Sequence, residues 1–242
     1  MTEKPEDSSA IQPAGQGSSA MVRVMDRRVL IASRVLSEIA VRKAAETGVS
    51  NNSRRITLEV AKSFLSDRYS VDLDEYAAID LDAAEALAKH ENWLSLNGLT
   101  ALNAEVAEAL AKHKDSLNLD GLTELDVEVA EALAKHKYLL HLYGLTELDV
   151  VVAEALAKHE GSLDLNGLEK LSVEVAEALT WHKGKELSLG GNMRNPSVGV
   201  AEALAGYKGK QLIFDEVCRL SDAAATILLR NERIRLAKKF RR

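Results

Sequence analysis

One cysteine in 242 residues, Cys218, cannot form an internal disulfide. A small secreted fold stapled by bridges is therefore excluded, an intracellular, cytoplasmic setting is expected, and Cys218 itself reads as a buried apolar residue. Aromatic residues are also scarce, at 4%. With 46% hydrophobic residues the chain has enough apolar material for a sizeable core, but that core must be aliphatic. No run approaches the roughly 18 apolar residues of a membrane span. Residues 1–20 are rich in Ser, Gly, Pro and Glu, carry no apolar stretch and lack signal-peptide anatomy, so they read as a disordered tail. Motifs that carry chemistry are missing as well. There is no Walker-type phosphate loop and no Gly-x-Ser-x-Gly, and the Asp and Glu residues recur as a surface pattern. The expectation is a non-enzymatic protein with no catalytic residue, no cofactor, no metal and no small-molecule substrate.

What is present is repetition. Gly98, Gly121, Gly144 and Gly167 fall every 23 residues, and so do His90, His113, His136, His159 and His182. Units begin at Val71, Leu94, Leu117, Leu140, Leu163, Leu187 and Leu212, with extra residues at Trp181–Glu186 and Asn192–Ser197 that read as loops. The segments 56–65 and 220–229 match the helical half of a unit with its consensus worn, as terminal capping units do. Each unit opens with Leu-x-Leu, the period-two pattern of a strand with one buried face. A glycine turn follows, then Val-Ala-Glu-Ala-Leu-Ala-Lys-His, a run of good helix formers with an apolar face at Val106, Ala109 and Leu110. Glu108–Lys112, Glu131–Lys135 and Glu154–Lys158 stand at i,i+4, where helical ion pairs form. A single unit cannot bury its own leucines; stacked units bury them together.

The Leu-x-Leu-x-Gly-Leu-x-x-Leu core on a 23-residue period resembles leucine-rich repeat proteins of a short bacterial type, over residues 56–229. The resemblance implies an α/β fold, a curved solenoid with parallel strands on the concave face, helices on the convex face, and partner binding as the usual role. One departure stands out. The family's asparagine, five residues after the first strand leucine, is replaced by Leu99, Leu122, Leu145 and Leu168. The ladder that would satisfy loop backbone groups is therefore missing from its usual place.

Charge divides the chain. Residues 21–55 sum to +5 and residues 230–242 to +6, so the middle, 56–229, holds −15. Within residues 21–47, Val22, Met25, Val29, Ala32, Leu36 and Ile39 form an apolar stripe, with Arg23, Arg27, Arg34 and Arg42 off it. This reads as a basic amphipathic helix capping the open end of the solenoid at 48–229. Residues 230–242 read as a basic C-terminal helix packing Ile234, Leu236 and Phe240 on the last unit. Docking of these basic ends to nucleic acid or an anionic membrane is the alternative functional reading.

Two features carry the candidate site. The histidine column invites a metal, but no Cys or carboxylate column shares its spacing in a ligand-like way. Each His reads as a helix end, after Lys in all but His182, where a cation or ring N–H can bond free carbonyls. The intervening strand residues point away from the core in two rows. Asp72, Ser95, Asn118, His141, Asp164 and Ser188 make one; Asp74, Asn97, Asp120, Tyr143, Asn166 and Gly190 make the other. Both are mostly small, polar or acidic, and only His141 and Tyr143 are bulky. The partner-binding residues expected are Ser95, Asn97, Asn118, Asp120, His141, Tyr143, Asp164 and Asn166, with the His141–Tyr143 pair as the anchor for a protein partner.

Overall fold

The computed structural model describes residues 54–191, 193, 195–214 and 220–237. The tail at 1–20, the amphipathic segment at 21–47 and Cys218 lie outside the described residues.

Strands and helices alternate. Strand β1 (Arg55–Ile56) leads to helix α1 (Leu58–Ser66), and β2 (Ala78–Ile79) to α2 (Leu81–Leu87). Then follow β3 (Leu94–Ser95), α3 (Ala104–Leu110), β4 (Leu117–Asn118), α4 (Val127–Leu133), β5 (Leu140–His141) and α5 (Val150–Leu156). The series closes with β6 (Ser162–Leu165), α6 (Val173–Leu179), β7 (Glu186–Leu189), α7 (Val198–Ala205), β8 (Leu212–Phe214), α8 (Asp222–Leu228) and β9 (Ile234–Leu236). Strands β3 to β9 form one seven-stranded parallel sheet in sequence order, and β1 and β2 a separate parallel pair. The sheet register repeats the sequence: Leu94, Leu117, Leu140, Leu163, Leu187, Leu212 and Ile234 are successive partners. This is an α/β architecture consistent with stacked repeats. Among the described residues no helix is long and apolar enough to cross a membrane.

Most of the helices have seven residues, too short to stand alone in water. Local signals start them. The side chains of Thr57, Asn103, Ser172, Ser197 and Ser221 each accept a hydrogen bond from a first-turn amide. Stacking then holds them. Leu94, Leu96 and Leu99 are fully buried, as are their counterparts one and two units on, and the helices insert Val106, Ala107 and Leu110 between the same layers. The leucines standing where the family has asparagine are core. The glycines answer a close approach: a Cβ on Gly98, Gly121, Gly144 or Gly167 would fall within the envelope of the preceding unit's carbonyl oxygen at Asp74, Asn97, Asp120 or Tyr143.

Three expectations are corrected. The unit beginning at Val71 has no strand there; Leu73–Glu75 forms a 3-10 turn, because the Asp72 carboxylate accepts the Asp74 amide at 3.0 Å and curls the chain. The basic C-terminal helix over 230–242 instead contains strand β9. The open edge of β8 offers unpaired backbone groups, and Ile234-Arg235-Leu236 alternates as a strand requires. Residues 238–242 lie outside the described part. Finally, Lys135 pairs with Glu108 and Lys158 with Glu131, each 27 residues back in the preceding unit, not with the acids four residues before them. The helices end at Leu133 and Leu156, so these lysines stand past the cap and reach the neighbouring helix.

Candidate functional site

The expected partner-binding residues do sit together on the strand-bearing face, but most of them hold the repeats to one another. Asp74 accepts the Asn97 amide at 2.7 Å, and the Ser95 hydroxyl donates to the same carboxylate at 2.8 Å. Asn97 accepts the Asp120 amide at 3.1 Å, and Asp120 accepts the Tyr143 amide at 2.8 Å. Asn166 accepts the Gly191 amide at 3.4 Å. Each carboxylate or carboxamide oxygen thus satisfies the backbone of the next unit. An Asp/Asn ladder runs up the repeats two residues before the position where the family carries its asparagine. Sequence reasoning placed this row in solvent. The signal was present in its Asp/Asn content, since side chains of that length reach a backbone amide one strand away.

The Asp/Asn row changes character at Tyr143. Tyr143 occupies a rung, and the next unit's Asn166 amide turns to Asp164 of its own unit, at 2.9 Å. Asn118 likewise accepts from Asp120 of its own unit at 3.1 Å. The Tyr143 residue is 45% exposed on a floor of half-buried polar residues. Beside it, on the paired strands β5 and β6, His141 Nδ1 lies 3.2 Å from the Asp164 carboxylate. That hydrogen bond raises the His141 pKa against the opposing effect of burial, and the charges of Asp164 and Asp120 raise it further. The imidazolium is therefore favoured above its ordinary range. Two residues apart in the chain, Tyr143 and His141 put on this face a phenol ring and an imidazole hydrogen-bonded to the Asp164 carboxylate.

The histidine column lies elsewhere, inside the stack behind the helix ends. His113, His136, His159 and His182 are essentially inaccessible. Successive rings from His90 to His182 stack with centroids 6.1–6.4 Å apart. Phe64 closes one end edge-on, at 5.4 Å. Tyr207, a column member that the histidine spacing did not reveal, closes the other. Its hydroxyl lies 3.3 Å from His182 Nδ1 and donates to the Gln211 carbonyl at 3.2 Å. His159 Nε2 lies 3.0 Å from the Tyr138 carbonyl and 3.2 Å from that of Ser162, so it carries the proton and donates. Burial lowers the pKa of every ring in the column and pushes His136 and His182 down to about 4, the neighbouring His159 adding to both. Of the two states expected at the helix ends, cation or ring N–H, burial favours the neutral ring. Among the described residues no group of three or more His, Cys, Asp or Glu is arranged to hold a metal ion.

Comparison with protein-family models gives no match, and comparison with curated proteins gives none either.

Proposed function

We propose that the protein is a leucine-rich-repeat-like solenoid acting as a non-enzymatic scaffold, and that it binds a protein partner through the strand-bearing face. The observation that carries this reading is the exposed aromatic residue in the Asp/Asn row. At Tyr143 a large ring, 45% exposed, stands where the equivalent units carry Asp or Asn, on the same strand-bearing face as the His141–Asp164 pair. Exposed aromatic residues with a polar tip, at the centre of a polar surround, are the usual energetic anchors of protein interfaces. The surround carries Asp120 and Asp164, so the partner presents basic or hydrogen-bond-donating groups around the anchor.

The test replaces His141 with Ser and Tyr143 with Asn, the residues typical of the other units. Partners recovered by chemical crosslinking to the full chain are identified, and the affinity of each is measured for both forms. The expected loss is at least about 1–2 kcal/mol, with an unchanged circular dichroism spectrum. A partner bound equally well by both forms would refute the assignment of this patch.

A further inference from the structure

The loops that follow the helices make a second surface, distinct from the strand-bearing face. At the ends of α3 and α4 they enclose an open groove of about 540 Å³. Its walls carry Lys112, Lys114, Lys135, Lys137 and Tyr138, and its one carboxylate, Glu108, is engaged by Lys135. Lys112, Lys114 and Lys137 form no ion pair among the described residues. The helix dipole accounts for lysines just past the cap, such as Lys112 and Lys135. It does not account for Lys114 and Lys137, which lie two residues further out in the loops. Tyr138 is 45% exposed, and its ring leans on the buried His136 at 5.9 Å between centroids. It therefore stands as a supported wall with a free face.

The groove is not a closed pocket. It shares Lys112 and Lys114 with a neighbouring groove of about 340 Å³, and Lys135 and Lys137 with another of about 730 Å³. The opening therefore runs across successive units, where Glu85, Glu91, Glu128, Glu131 and Glu160 stand among the lysines and confine the lysine-rich stretch to the central groove. Further along the same side, exposed lysines recur at 183, 185, 208 and 210, and Trp181 replaces the lysine of the earlier units. Trp181 is 57% exposed, with the Lys208 ammonium 3.6 Å from its ring centroid.

We propose that this lysine-lined groove binds single-stranded nucleic acid, with phosphates on Lys112, Lys114 and Lys137 and a base stacked on Tyr138. An acidic peptide would satisfy the lysines but has no use for a rigidly backed aromatic face. Base stacking on an aromatic beside a cationic track is how single strands are held without sequence preference. Because each lysine is exposed, each contact is weak, and binding depends on several along one strand, not on a lone nucleotide.

The probe is a fluorescein-labelled deoxythymidine 20-mer titrated with the full chain and followed by fluorescence anisotropy at several salt concentrations. Binding is expected to weaken steeply with salt. Lys114→Glu with Lys137→Glu should weaken it at least tenfold, and the milder Lys114→Gln with Lys137→Gln should flatten the log–log salt slope by about 0.7 for each phosphate left without its lysine. Tyr138→Ala should weaken binding by about fivefold or more while leaving the salt slope unchanged, because stacking releases no counterion. Wild-type affinity in both lysine variants would overturn the proposal. So would ATP or polyglutamate competing as well as the unlabelled 20-mer.

Discussion

Acidification probes the histidine column most directly. The rings are buried and neutral in the folded protein, and an exposed histidine in the unfolded chain titrates near 6.5. Below that value the unfolded state binds the proton first, so stability is lost as the pH falls from about 6.5 towards the folded value of about 4 reached by His136 and His182. At pH 5 the unfolded chain has gained about one and a half pH units of proton affinity over each folded ring, worth about 2 kcal/mol apiece. Those two residues alone then remove about 4 kcal/mol, a large part of the 5–15 kcal/mol typical of a domain. His90, His113 and His159 are shifted in the same direction and add to the loss. His141 opposes it. Its folded pKa is raised, so its contribution is complete below the unfolded value and fades as the pH rises through the folded one. Urea unfolding followed by circular dichroism at pH 7.5, 6.5, 5.5 and 5.0 measures the effect above the range where most carboxylates titrate. The midpoint should fall steadily across this series, and His136→Gln should reduce the slope. A midpoint that stays flat to pH 5 would refute the buried, neutral column.

Three further outcomes follow from the packing. Tyr143→Asn should place a carboxamide where Asn97 and Asn166 stand in their units and stabilise the protein by about 0.5–1 kcal/mol, read as a raised thermal midpoint; a lowered midpoint would mean that a carboxamide contributes nothing there. Gly121→Ala should cost more than about 3 kcal/mol, because the methyl group meets the rigid Asn97 carbonyl oxygen, whereas Gly199→Ala, inside α7 and 3.2 Å from the exposed Val173 side chain, should change stability by less than about 1 kcal/mol. Similar midpoints in denaturant for the two variants would contradict the close approach. Deletion of Leu117–Leu139 as a block should leave a shorter protein that still unfolds cooperatively, since Leu94 and Leu140 then pair as Leu117 does now; non-cooperative melting would place the unit boundaries elsewhere.

The strand register, the aliphatic core and the helix positions were legible in the sequence, because a 23-residue repeat of Leu-x-Leu and Val-Ala-Glu-Ala-Leu specifies each from residues close together in the chain. Proximity on the strand-bearing face was legible too: alternation placed His141, Tyr143 and Asp164 on one side. Tertiary structure decided what those side chains do. Asp74, Asn97 and Asp120 look like solvent residues until the next unit's amides arrive within hydrogen-bonding distance. The histidines look like cations at helix ends until stacking removes them from water and makes the charged form costly. Lys135 and Lys158 sit at helical spacing from one acid and pair with another, because the helices stop before them. Residues 234–236 alternate apolar and basic, a pattern that suits an amphipathic helix end or a strand, and the unpaired edge of β8 selected the strand. In each case the deciding partner lies a whole unit away in the chain, and only the stacked fold brings it within reach.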